Sequence, residues 1–279
     1  MSENTKSEDA IQSDTVSAAV RRHIDHRLCE AAREAGVRIL YAAESGSRAW
    51  GFASPDSDYD VRFIYAHPPD WYVQLAEPRD VIEGPLDEML VDFAGWDVRK
   101  ALRLLLRSNP ALYEWLVSPI VYQDDKAFRP AAKALFERHA SQRALAHHYF
   151  SIARGQWRRE IEGQEQVKLK KYFYAVRPLL SLRWVIGHGT PPPMMLQDLV
   201  VAVGLPPAVA AALNDLVILK RDTPELGRRP RLPVLDDWVL SEMDALNPEK
   251  HDLATERGPE ARAAADALFR QTIGFGMRS

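Results

Sequence analysis

Glu44-Ser45-Gly46-Ser47-Arg48-Ala49-Trp50-Gly51-Phe52-Ala53-Ser54-Pro55-Asp56-Ser57-Asp58-Tyr59-Asp60-Val61 is the stretch on which the reading of this chain turns. Before it, the apolar run Val37 to Ala43 reads as a buried strand. At its end, Tyr59-Asp60-Val61-Arg62-Phe63-Ile64-Tyr65 reads as a second. A Gly-Ser turn therefore closes one strand and two carboxylates open the next. Side chains two apart on a strand share a face, which puts Asp58 and Asp60 side by side, about 7 Å apart along the backbone. Carboxylates that close repel each other unless a cation lies between them, and a divalent ion with oxygen ligands is the usual solution. Gly46 lets the backbone come close to a ligand, and Ser47 offers an N–H and a hydroxyl. A short helix over Arg48 to Phe52 would aim its amino end at the same place. A phosphate cradle facing paired carboxylates is the requirement of metal-assisted nucleotide transfer.

Gly46-Ser47, ten residues, then Asp58-Tyr59-Asp60-Val61 resembles the signature of the DNA polymerase β-like nucleotidyltransferase superfamily. The fuller strings Gly46-Ser47-Arg48-Ala49-Trp50-Gly51 and Ser54-Pro55-Asp56-Ser57-Asp58-Tyr59-Asp60 resemble its RlaP-like branch, associated with RNA repair. The resemblance runs from about Val37 to about Trp184. It implies in-line transfer of NMP from an NTP, with two magnesium ions (manganese as a substitute) held by Asp58 and Asp60. A third acid on a neighbouring strand would share one ion. Asp92 is the candidate, since burying a carboxylate between Val91 and Phe93 is costly without a partner. Asp87, Glu88 and Glu83 are the substitutes. Ser47 and Arg48 would hold the β- and γ-phosphates, with Lys171 or Lys170 adding charge. Gly95-Trp96-Asp97, and Asn109-Pro110 with Glu114-Trp115-Leu116, look like recurring strings with turn and packing roles. Lys100 and Arg103 stand within reach of a nucleotide on the helix that follows.

Composition sets the bounds. At 279 residues, 46% hydrophobic and 27% charged, the chain suits one large domain or two small ones. The single Cys29 excludes an intrachain disulfide and a cysteine-rich zinc site. No signal-like start and no apolar run of about 20 residues point to a cytoplasmic protein without a membrane span. A formal net charge of −3 argues against a general nucleic-acid coat.

The expected fold is α/β (α+β): a disordered tail over 1–14, a catalytic domain over 15–125 with a small mixed sheet flanked by helices, and an all-helical domain over 126–279. A helix from Val16 to Ala35, capped by Gly36, opens it, with His23 and His26 on a solvated face. After about Ala127, helical periodicity takes over. Residues 151–190 carry eight Lys and Arg against three Glu, a net of +5. Within them Lys170, Tyr174 and Arg177 share a helical face, a candidate triphosphate clamp. Arg154, Arg158 and Arg159, on an earlier helical segment, form the candidate RNA-binding set. Other readings are nucleotidylation (AMPylation) of a protein, transfer to a small molecule, and a non-catalytic nucleotide sensor.

Overall fold

The structure, a computed structural model, describes residues 16–76, 78–222, 227–255 and 259–275. The tail expected to be disordered over 1–14 lies outside them. The first helix, α1 (Ala18–Ala35), starts where the Ser17 side chain accepts from the Val20 N–H. It ends at Gly36, whose φ of 62° suits a residue without Cβ. A five-stranded sheet follows: β1 (Arg38–Glu44), β2 (Tyr59–Ala66), β3 (Val81–Gly84), β4 (Val91–Asp97) and β5 (Val121–Asp124), in the order β3-β4-β2-β1-β5. β2 pairs parallel to β4, while the other three pairings are antiparallel, so the sheet is mixed.

Alternation along β2 decides which residues meet which layer. Val61, Phe63 and Tyr65 pack with Val20, Ile24 and Leu28 of α1. Ile64 and Ala66 point the other way, into a core that also holds Leu40 and Tyr41. That core takes in α3 (Val98–Leu106) and α4 (Pro110–Leu116), capped by Asp97 and Asn109 through their side chains, and α5 (Phe128–His139). A one-turn helix, α2 (Gly46–Ala49), lies between β1 and β2.

The remaining helices are α6 (Gln142–Glu160), α7 (Lys170–His188), α8 (Leu196–Val203), α9 (Pro207–Asp222), α10 (Pro233–Ala245) and α11 (Pro259–Ile273). They share the core that covers this face of the sheet, so the change near residue 125 is in secondary structure rather than in packing. Two expectations need correction here. The second half is not all helix: β6 (Gln166–Lys168) and β7 (Arg228–Pro230) pair antiparallel as a small ribbon. Only Val167 of its six residues is buried, which leaves no alternating pattern to read. Gly95-Trp96-Asp97 is strand rather than turn. A Cβ on Gly95 would stand 2.2 Å from the Phe63 ring, so glycine lets the ring lie flat on β4.

Candidate active site

The site forms at the amino ends of the parallel pair β2 and β4, against the ends of α7 and α9. Strand register places Asp60 directly opposite Asp92. Asp58 lies just before β2 and is exposed. Asp87, Glu88 and Glu83 are elsewhere. Asp87 accepts from His23 at 2.7 Å and from Arg27 at 2.6 Å, so His23 is not a merely solvated residue; Glu83 pairs with Arg79 and Glu88 is exposed.

Gly46 has φ +59°, and a Cβ there would come 2.0 Å from Asp60 Oδ2. The glycine thus lets the Asp60 carboxylate lie against the backbone, where the side chain of any other residue would collide with it. The helix expected over Arg48 to Phe52 begins instead at Gly46 and has a single turn, too short for a strong dipole. Arg48 does not reach out as a phosphate ligand. Its guanidinium donates to the Ser57 carbonyl at 2.6 Å and the Asp58 carbonyl at 3.2 Å, and lies over the Tyr59 ring. It therefore shapes the loop that carries Asp58.

Arg62, two residues beyond Asp60 on the same face, bridges the acids. Its Nη2 donates to Asp60 Oδ1 at 2.9 Å and Asp92 Oδ2 at 2.6 Å, and its Nη1 to the carbonyls of Val61 and Asp92, both at 3.1 Å. Burial raises the Asp60 pKa, Arg62 opposes the rise, and the charges of Asp92 and Asp58 add to it. Behind Asp60, the fully buried Glu44 accepts from the Asp60 N–H at 2.8 Å and from the Tyr122 hydroxyl at 2.5 Å. Burial pushes its pKa up to about 7 against those hydrogen bonds.

A cavity of about 160 Å³ opens over the acids, lined by Ser47, Asp58, Asp60, Tyr174 and three lysines, Lys168, Lys170 and Lys220. Lys168 precedes α7, Lys170 opens it, and Lys220 comes from α9. Lys220 is only 5% exposed, its ammonium 4.7 Å from the Phe52 ring centroid, with Phe52 stacked on Phe173. Burial, reinforced by Lys170, lowers its pKa to about 8.

Two further residues expected on the triphosphate, besides Arg48, do not line the cavity. Lys171 pairs with Glu160 at 3.1 Å. Arg177 is 3% exposed and bonded to Glu114 at 2.8 Å and to the Met194 carbonyl. Helical spacing does bring Lys170, Tyr174 and Arg177 onto one face, but that face runs from the cavity into the core. Trp50 donates to the same Glu114 at 3.1 Å, so this buried node ties α2, α4 and α7 together. Lys100 pairs with Asp80, beyond the far end of β4. Arg154, Arg158 and Arg159 are exposed on α6, Arg159 beside Glu160.

Among the described residues, no three carboxylate, histidine or cysteine side chains converge as a ready metal cage. The donors at Asp58 and Asp60 are nonetheless the hard oxygens that Mg²⁺ or Mn²⁺ takes, and both residues line the cavity. The residues fit one divalent ion there. Between Asp60 and Asp92 the guanidinium of Arg62 already stands.

A mixed sheet with a Gly-Ser turn after its first strand and paired carboxylates opening the second defines a nucleotidyltransferase-like protein. Residues 20–271 match the family described as RlaP, RNA repair pathway DNA polymerase beta family, and the chain belongs to it. It is 41% identical over 222 residues to the uncharacterized protein YcgL of Bacillus subtilis (strain 168), covering 80% of this chain and 85% of YcgL. A solved nucleotidyltransferase-like protein from Exiguobacterium sibiricum 255-15 aligns over 89% of this chain and 80% of its own. At 13% identity and a TM-score of 0.28, that likeness is too loose to bear on the site. No helix among the described residues is long and apolar enough to cross a membrane.

Proposed function

We propose that the protein transfers a nucleoside monophosphate from an NTP to a hydroxyl at an RNA end. The observation that carries this reading is the meeting of Asp58 and Asp60 with the lysine-lined cavity, with Asp92 opposite Asp60 on the neighbouring strand. The acceptor oxygen bonds to the α-phosphorus as the bond to pyrophosphate breaks. A divalent ion at Asp58 and Asp60 would neutralise phosphate charge and lower the pKa of the attacking hydroxyl. The chain does the positioning. Lys168, Lys170 and Lys220 draw the triphosphate into the cavity, the Arg48-bound loop holds Asp58 in place, and Glu44 fixes the backbone of Asp60. The RNA acceptor is supported by the family's description and by the exposed Arg154, Arg158 and Arg159.

Incubation with each labelled NTP, magnesium and total RNA tests the reading. Label should enter RNA and vanish in Asp58→Asn and Asp60→Asn. Changing Arg154, Arg158 and Arg159 together to glutamate should abolish RNA labelling while sparing NTP binding. Label on protein would refute the RNA acceptor but keep the transferase. No transfer from any NTP would refute both.

A further inference from the structure

Asp60 and Arg62 are two apart on β2, so a cation is built into the same face as that acid. Its place is well defined. Arg62 is mostly buried, four acceptors hold its two terminal nitrogens, and one nitrogen touches a carboxylate oxygen on each strand. A metal ion bridging Asp60 Oδ1 and Asp92 Oδ2 at little more than about 2 Å from each would occupy the spot the guanidinium fills.

From this we infer that Arg62 is the fixed cation of the site, and that the nucleotide-free protein takes one divalent ion, at Asp58 and Asp60. Asp92 then anchors the guanidinium instead of ligating metal. The inference rests on the transferase reading, which it deepens, and it departs from the two-ion arrangement that the family resemblance implies.

Charge balance favours it. Three carboxylates, one guanidinium and one divalent ion sum to neutrality. A second ion beside an undisplaced Arg62 would leave a surplus of two positive charges, with three lysines already facing the same cavity. Those lysines supply the positive charge toward a triphosphate that a second ion would otherwise bring. Arg62 is thus a positioning residue. It holds Asp60 and Asp92 together, with one nitrogen on a carboxylate oxygen of each.

The test is Mn²⁺ binding to the full-length protein without nucleotide, followed by electron paramagnetic resonance and calorimetry. One ion should bind the wild type and be lost in Asp58→Asn. Asp92→Asn should keep that ion with affinity within about threefold, since a nearby charge is lost but no ligand is. Arg62→Met, checked by circular dichroism for folding, should gain a second Mn²⁺ between Asp60 and Asp92. Should Arg62→Met not fold, the Asp92→Asn result decides the matter. Two ions on the wild type, or loss of its ion in Asp92→Asn, would overturn the assignment and leave nucleotidyl transfer standing. No ion on any variant would overturn both.

Discussion

Replacing Lys220 with methionine should make the protein more stable and worse at binding nucleotide. The wild-type ammonium lies against Phe52 and Phe173, with Lys170 adding repulsion, and its pKa falls from 10.5 to about 8. At about 1.4 kcal/mol per unit, holding that charge costs the fold about 3 kcal/mol. The cavity beside it admits water, which screens part of the cost, so a gain of about 1–3 kcal/mol is expected from Lys220→Met at pH 7. The linkage runs one way. A pKa depressed in the folded state penalises stability below about 8, and the penalty fades as pH rises from there to the unfolded value near 10.5. The gap between variant and wild type should therefore be full at pH 7 and small by about pH 10.

Urea unfolding at both pH values measures the gap, and a nucleotide titration measures the function. Loss of a charged contact to phosphate should weaken NTP binding by roughly 1.5–3 kcal/mol, or about 10–150-fold in Kd. A variant less stable than wild type at pH 7, or a gap that ignores pH, would refute the account of Lys220 as an unpaired buried cation. Unchanged NTP affinity would remove it from the phosphate site.

Two further substitutions probe the frame around the carboxylates. Gly46→Ala places a Cβ on Asp60 Oδ2 and forces a left-handed backbone on a residue that resists it by about 1–2 kcal/mol; Mn²⁺ binding and transfer should both disappear while circular dichroism still reports a folded protein. Glu44→Gln should alter the pH dependence of stability. With its folded pKa raised to about 7, Glu44 favours the fold fully below its unfolded value near 4.5, and the advantage is lost as pH rises through 7. Wild type should lose up to about 3 kcal/mol across that window relative to the variant, seen as a change in the difference between their urea midpoints at pH 4.5 and pH 8.

The elements that position the acids are legible in the sequence because each leaves a local pattern. Alternation around Asp60 marks β2, an acid between Val91 and Phe93 marks β4, and Gly36 marks the end of α1. Two site residues carry the same signals, extended by one step. Arg62 follows Asp60 by the interval that pairs Asp60 with Asp58. Glu44 ends an apolar strand, as costly a place as that of Asp92. Lys220 has no such mark. It is one lysine on an ordinary amphipathic helix, and only the packing of α9 near the start of α7 brings it to a turn more than 160 residues earlier. Arg177 shows the converse. Helical spacing correctly groups it with Lys170 and Tyr174, but spacing cannot tell where along a face solvent ends and the core begins.

The two halves of the chain work as a unit. The sheet face carrying Asp60 and Arg62 is the face covered by the helices, and Leu40, Tyr41 and Ile64 share their core with Phe173 and Leu180. The same helices deliver Lys168, Lys170 and Lys220 to the cavity above the acids, while the Glu114–Arg177 pair, with Trp50 bonded to Glu114, fixes α7 against the turn that holds Gly46 and Ser47. A shift of α7 would therefore move the lysines and strain the Gly46 turn together. Its buried anchor, an ion pair whose guanidinium also donates to the Met194 carbonyl and lies over the Trp50 ring, is costly to break and leaves little freedom for such a shift. The lysines are held at a fixed distance from the carboxylates by the core itself, so charge placement here is a property of the packed interface rather than of either half.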